Sequence, residues 1–286
     1  MRNVPKICHF YWGAPVVPFL RYMCLRSFLQ YNPDWKIRLH TPAELTTTQS
    51  WVTYENKEGF STRDYSERLG ELGVEITPWD MEDIGFSNDL PEVIKSDLLR
   101  LYLLYNVGGL WSDSDIIYFR PLSHTIPNVE HIAYFCYRRG GPTQDPTPKN
   151  GPLYHSIGFM MGIPGNRYFQ MLWEGVRYRE LDQKEYQTAG SPYYGSVLDE
   201  NMFRTNAKDL YNFDINVVYP SRAVPGMWGS SQEYIPQIRP ITIGWHWYCG
   251  HPHSGRMQNL VTEETYFRCD NVICWLIGKV LRGEEV

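Results

Sequence analysis

The stretch Val107-Gly-Gly-Leu-Trp-Ser-Asp-Ser-Asp-Ile-Ile-Tyr-Phe119 sets two carboxylates one residue apart inside a run of β-branched and aromatic residues. The segment before it, SNDLPEVIKSDLLRLYLLYN (87–106), carries the signals of a helix. Asn88 or Asp89 is placed to cap it, Pro91 falls in its first turn, and Val93, Ile94, Leu98, Leu101, Tyr102 and Tyr105 form a wide apolar face. Gly108-Gly109 supplies the stop. A helix therefore feeds a strand directly, with Asp113 and Asp115 on that strand or just past its end. On a strand, alternation puts both acids on one side with Cα atoms roughly 7 Å apart. Two buried carboxylates that close repel each other unless a cation lies between them. A hard divalent ion such as Mg²⁺ or Mn²⁺ suits the pair, because it takes one or two protein carboxylates and fills its other positions with water and phosphate oxygens.

Working outward, VPKICHFYW (4–12) reads as a buried first strand that turns at Gly13-Ala-Pro15. Tyr22, Leu25 and Leu29 recur at helical spacing between Phe19 and Tyr31, Asn32-Pro33 ends that helix, and WKIRLH is a second strand. Strand, helix, strand is the opening of a parallel α/β sheet, whose ligands bind beyond the carboxyl ends of the strands. Residues 138–152 are too rich in Pro, Gly and polar groups for a regular element and read as a lid, a binding loop or a disordered segment. SIGFMMGIPG follows as a strand, then a helix with Phe169, Leu172, Trp173 and Val176 on one face, and a second irregular stretch at 220–240. The C-terminal DNVICWLIGKVLRG is amphipathic through Ile273, Leu276, Ile277 and Val280; its polar face is too weakly basic for lipid, so packing on the chain's own core is expected. No repeat or linker divides the chain, and residues 1–286 are expected to form a single domain.

Composition narrows the function. A net charge of −5 argues against nucleic acid and acidic membranes as partners, since both need a basic face. Six scattered cysteines without a CxxC pair point to free thiols in a reducing compartment, and no apolar run is long enough to span a bilayer, so a cytoplasmic location is expected. No GxxxxGK[ST] loop supports a nucleotidyltransferase or phosphotransferase of the P-loop kind. The residues DSDIIYFRPLSH lack the ligand pattern of an EF-hand. His246, Cys249, His251 and His253 in HWYCGHPH are zinc-ligand types, but neighbours so crowded rarely all bind one ion.

VIKSDLLRLYLLYNVGGLWSDSDIIYFRPL resembles the central signature of the DXD-containing sugar transferases: the yeast initiating α-1,6-mannosyltransferase, bacterial capsular and polysaccharide glycosyltransferases and, more distantly, the clostridial glucosylating toxins. Their pattern, approximately SDxxRxxxLxxxGGxYxDxDxxxxxPL, is met by Ser96, Asp97, Arg100, Leu104, Gly108, Gly109, Asp113, Asp115, Pro121 and Leu122, with Trp111 where Tyr is usual. VPKICHFYWGAP is similar to the family's opening IPKxIHxxWxG, with His9, Trp12 and Gly13 in register; SFLQYNPDWKIRLHTP resembles the next segment, and TAGSPYYGSVL is a weaker echo. The ending departs: GWHWYCGHPHSG stands where many relatives carry a His-His-x-x-x-Ser-Trp-like motif.

The resemblance implies a Rossmann-like GT-A fold, a mostly parallel sheet flanked by helices, with residues 1–122 as the nucleotide-sugar-binding half and 123–286 as the acceptor-binding half. It implies transfer of a hexose or pentose, with retention of configuration, from a nucleotide-diphosphate sugar, UDP-linked by preference, to a glycan or other hydroxyl acceptor, aided by Mn²⁺ or Mg²⁺. Carried over by position, Asp115 ligates the metal and Asp113 contacts the ribose or the metal's water shell. Trp12 stacks on the base, and Asp97 and Arg100 meet sugar hydroxyls and diphosphate. His246 is the expected distal ligand, with His251 second. An inverting enzyme would need a carboxylate base, for which Asp145, Asp199 and Glu200 are the candidates.

Overall fold

A computed structural model describes residues 4–45, 63–127, 130–139, 153–184, 187–221 and 226–286. The strands are β1 (Ile7–Tyr11), β2 (Lys36–Pro42), β3 (Glu75–Trp79), β4 (Gly109–Ser112), β5 (Ile116–Tyr118), β6 (Ala133–Phe135), β7 (Tyr137–Arg139), β8 (Leu153–His155), β9 (Phe159–Gly162), β10 (Leu210–Asn212) and β11 (Gly244–His246). The helices are α1 (Phe19–Tyr31), α2 (Ser66–Glu71), α3 (Glu92–Asn106), α4 (Arg167–Arg177), α5 (Ser191–Val197), α6 (Glu200–Thr205), α7 (Ser231–Tyr234), α8 (Pro252–Leu260) and α9 (Val272–Arg282).

Seven strands form the central sheet in the order β10-β6-β9-β4-β1-β2-β3. Within it β9 runs against the others, pairing antiparallel with both β4 and β6. This is the α/β, mostly parallel organisation that the GT-A resemblance implied. Strand alternation divides the core between the two faces. Cys8, Phe10, Leu110, Phe159, Met161 and Tyr134 join α1 and α9 on one side. Tyr11, Trp111, Met160, Ala133 and Phe135 join α3, α4 and α5 on the other. A sheet covered on both faces needs apolar residues at every position, which is why FMMG reads as a continuous hydrophobic run.

The helices at 19–31 and 272–282 fall where the periodicity predicts, and Ile273, Leu276, Ile277 and Val280 are buried in the chain's own core. Phe169, Leu172, Trp173 and Val176 are buried along α4. One local expectation is corrected. Pro91, not Asn88 or Asp89, occupies the N-cap of α3, and no side chain caps it; Asn88 is committed to the preceding turn, accepting from Met81 N at 2.8 Å and donating to Asp80 Oδ1 at 2.8 Å. The acid pair falls just past the strand, the second of the two places expected: β4 ends at Ser112 and Asp113–Asp115 make the turn into β5. Of the expected loop 138–152, Arg138 and Arg139 lie in β7, and residues 140–152 are outside the described residues.

The Gly-Gly stop is a steric requirement. Gly108 and Gly109 hold φ of +69° and +98°, a region that L side chains rarely adopt. A Cβ at Gly109 would also collide with the carbonyl oxygen of Ile7 on the neighbouring strand. A chain of rings ends at the same turn. Trp79 Nε1 donates to His40 Nδ1 at 2.7 Å, His40 Nε2 lies 2.9 Å from His9 Nδ1, and His9 Nε2 lies 3.0 Å from Gly108 O. Indole can only donate and a carbonyl can only accept, so each imidazole carries its proton on Nε2 and every donor points the same way.

A proton added to either ring would set donor against donor. Burial, the largest cause, lowers His9 from 6.5 to about 4 and His40 to about 2; it also lowers His155 to about 4. Above pH 6.5 these rings are neutral in the folded and the unfolded chain alike. As pH falls below 6.5 the unfolded chain takes up protons that the folded chain refuses, so stability is lost down to the folded values. Each ring adds a slope of about 1.4 kcal/mol per pH unit in that window. Urea unfolding at pH 6.5 and pH 5.0 is expected to show a lower midpoint at pH 5.0; an unchanged midpoint would contradict the ring chain.

Candidate active site at the switch point of the sheet

After β1 the chain moves outward through β2 and β3, then returns through α3 to place β4 on the opposite side of β1. Open α/β sheets bind ligands in the crevice where strand order reverses, beyond the carboxyl ends. Trp12 and Gly13 follow β1 there, and Asp113–Asp115 follow β4. A cavity of about 110 Å³ opens between them, its walls including Trp12, Arg21, Glu92, Arg100, Asp113 and Asp115.

Asp115 is clamped by the chain that follows β11. Its Oδ2 accepts from Cys249 N at 2.9 Å, and its carbonyl oxygen accepts from Trp247 N at 2.9 Å. Its Oδ1, fully buried, lies 3.0 Å from His246 Nε2 without the alignment of a hydrogen bond. Asp113, its side chain 30% exposed, accepts at Oδ1 from Trp111 Nε1 at 3.0 Å and from Arg100 Nη2 at 3.4 Å, while its Oδ2 is 3.9 Å from His246 Nε2. Trp111, where the resemblance has Tyr, thus uses its indole N–H to aim the first acid. Gly158 leaves the second oxygen its space, since a Cβ there would collide with Asp113 Oδ2.

The charges reinforce one another. Burial would push both carboxyls up, but Arg100 and His246 hold Asp113 below its ordinary value of 3.8. His246, Arg21 and the Cys249 N–H hold Asp115 further below it. Burial would likewise lower His246, yet Asp115 and Asp113 outweigh it and raise the imidazole to about 9. The ring's Nδ1 meets Tyr248 N at 3.2 Å, which turns Nε2 toward the acids. Tyr219 and Tyr248 wall the imidazole at ring distances of 5.0 and 4.4 Å.

Among the described residues, Asp113, Asp115 and His246 are the group of three able to hold a metal ion, with ligand atoms all within 4.8 Å of one another. The donor set fits a divalent ion. Two carboxylates supply hard oxygen ligands, and His246 Nε2 lies 3.0 Å from Asp115 Oδ1 and 3.9 Å from Asp113 Oδ2. Because Nδ1 accepts from Tyr248 N, the neutral ring carries its proton on Nε2; to act as third ligand, His246 must free Nε2 and hold its proton on Nδ1, giving up the Tyr248 bond. His251 takes no part in this group: its Nδ1 accepts from His253 N at 3.2 Å and caps α8. Cys249 Sγ lies 3.4 Å from Gln258 Oε1, so HWYCGHPH does not converge on one point.

Asp97 and Arg100 meet as their spacing predicts, Nη2 to Oδ1 at 3.1 Å with both side chains almost fully buried. Arg100 also donates to Ile157 O at 2.9 Å and lies 4.9 Å from the Trp111 ring centre. Arg100 lines the cavity; Asp97 is not among the lining residues. Trp12 is 5% exposed, donates to Val16 O, and carries the Arg21 guanidinium 4.5 Å from its ring centre. Of the candidate carboxylate bases, Asp199 accepts from Met202 N as the cap of α6, Glu200 opens that exposed helix, and Asp145 lies outside the described residues.

Reading the sequence missed Arg21, whose signal was a guanidinium among the apolar residues that open α1. Arg21 is 3% exposed, donates to Ser114 Oγ at 2.9 Å and to Gln258 Oε1 at 2.8 Å, and lies between Trp12 and Trp247. It thereby pins the middle residue of the Asp-Ser-Asp turn. Glu92, Tyr219 and Tyr248 left no such signal, because their roles depend on contacts far away in sequence.

Comparison with known proteins bears on the segment that builds this site. Residues 23–132 match the family described as "Glycosyltransferase sugar-binding region containing DXD motif". No curated protein sequence matches. Among solved structures the chain is similar to the PaToxG glycosyltransferase, at 12% identity and a TM-score of 0.46 over 96% of this chain and 87% of that one. It is similar to an active-site mutant of LgtC, at 16% identity and a TM-score of 0.44 over 91% and 98%. It is also similar to the glycosyltransferase GlyE of Streptococcus pneumoniae TIGR4, at 10% identity and a TM-score of 0.47 over 98% and 64%. The matched residues run from within α1 through β5, and over this segment, which builds the acid turn and its supporting helix, the chain is similar to the sugar-binding region of the DXD-containing glycosyltransferases.

Proposed function

We propose that the chain transfers a sugar from a nucleotide-diphosphate donor, UDP-linked by preference, to a hydroxyl of a glycan or other acceptor, with retention of anomeric configuration. The observation that carries this reading is the Asp113, Asp115 and His246 cluster, whose two acids line a cavity that Arg100 also lines. A divalent ion, Mn²⁺ or Mg²⁺, held by these three residues would neutralise the charge that develops on the departing diphosphate. Arg100 offers the same cavity a fixed guanidinium whose geometry suits phosphate oxygens. Asp97 holds that guanidinium in place, and through it the orientation of Asp113. Trp12, with Arg21 on its face, forms a rigid aromatic wall for the donor.

In this reading the donor half, 1–122, and the acceptor half, 123–286, belong to one catalytic domain, with His246 crossing back from the second half to complete the site. The six free cysteines, five of them buried, support a cytoplasmic setting. No helix of the described residues is long and apolar enough to cross a membrane. A panel of nucleotide sugars incubated with and without Mn²⁺ tests the proposal. Hydrolysis of at least one donor is expected with Mn²⁺ and not after chelation; no turnover of any donor in either condition would overturn it.

A further inference from the structure

The ion cluster and its partners leave Glu92 without a role, although it lines the same cavity. Glu92 opens α3 with its side chain 16% exposed, and its Oε1 lies 2.9 Å from Nζ of Lys95, an ammonium with no exposure at all. The Tyr11 hydroxyl, at the end of β1, donates to Oε2. From the other side the loop after β1 closes on the same group. A Cβ at Gly13 would collide with Glu92 Oε2 and stand 2.8 Å from its Cβ and Cγ. The glycine that follows Trp12 is thus the residue that lets the carboxylate reach the cavity.

A carboxylate beside a diphosphate site repels phosphate, so its place there calls for a different ligand group. Lys95 offsets the charge, and a carboxylate oxygen that accepts from one donor can accept from a second. A group that only accepts selects hydroxyls, and two adjacent carboxylate oxygens match two adjacent hydroxyls, as acidic residues do on ribose in dinucleotide-binding folds. We propose that Glu92 is a specificity-determining residue that accepts hydrogen bonds from a vicinal pair of hydroxyls on the nucleotide-sugar donor. This rests on the donor reading given above. Such a diol occurs both on the ribose and on the transferred sugar.

Titration calorimetry with Mn²⁺ separates the sources, using UDP, 2′-deoxy-UDP and UDP-glucose as probes and the wild type, Glu92→Gln and Gly13→Ala as proteins. For ribose recognition, Glu92→Gln is expected to weaken UDP at least about tenfold, the cost of one charged hydrogen bond, and 2′-deoxy-UDP less than twofold. For recognition of the sugar, UDP is unchanged and UDP-glucose weakens by that factor. Either result supports the proposal, and Gly13→Ala, which displaces the carboxylate without altering its charge, is expected to repeat it. Equal weakening of all three probes, or of none, would overturn it while leaving the donor reading intact. A wild type that binds none of the probes overturns both.

Discussion

Asp115→Asn is expected to lower metal-dependent donor turnover by on the order of a thousandfold, the scale seen when one preorganised group that stabilises developing charge is removed. The change is nearly isosteric. An amide oxygen can still accept from Cys249 N, and the amide nitrogen can face His246, so the turn keeps its shape. What disappears is one of the two negative charges that make the cluster a cation site. Asp113→Asn is expected to cost less, because that side chain is 30% exposed and stands farther from His246. Initial rates against Mn²⁺ concentration, set beside a thermal melt of each variant, check both. If Asp115→Asn turned over donor with undiminished rate and Mn²⁺ dependence, the ion proposal would be wrong.

Arg100→Met is expected to destabilise the fold by about 3–5 kcal/mol, the cost of leaving buried charges without their partner. The guanidinium holds Asp97, 3% exposed, and Asp113 while bonding Ile157 O. Its loss also changes the acid limb. Asp113 is held below its ordinary value of 3.8, so its contribution is present above that value and is lost as pH falls through the folded value. Without Arg100 the folded value rises and part of that contribution is lost at neutral pH. Arg100→Lys is not expected to rescue the variant, because an ammonium cannot span two acids and a carbonyl from one planar fork. Adding Asp97→Asn should restore part of the stability, and a double-mutant cycle from urea unfolding measures the coupling. Independent effects of the two changes would refute this account of the pair.

The α/β order was legible in local signals, because α1, α3, α4 and α9 each bury a face whose period is written in consecutive residues. The helix-to-turn part of the candidate site was legible through the family resemblance: Asp97, Arg100, Asp113 and Asp115 lie within one short unit, and there Arg100 pairs with both Asp97 and Asp113. His246 was legible as a residue type, and only the pairing of β11 with β5 decides it over His251. The cap of α3 was misread because Asn88 found a better partner in Asp80. The acids were placed on the strand or just past it, and the second holds: β4 ends at Ser112, immediately before Asp113. Glu92, Tyr219 and Tyr248 could not be read at all, since a contact between distant segments leaves no periodic trace.

The register of β11 on β5 sets His246 opposite Ile116, one residue beyond Asp115. The third member of the cluster therefore arrives only when a very distant segment zips onto the ribbon, a closure whose entropy must be met before its contacts form. A chain caught before that step displays two acids with neither imidazole nor the Cys249 amide to complete them. Under the function proposed above, manganese affinity would gauge maturation, and by mass action the ion would draw late-stage conformers toward the finished molecule.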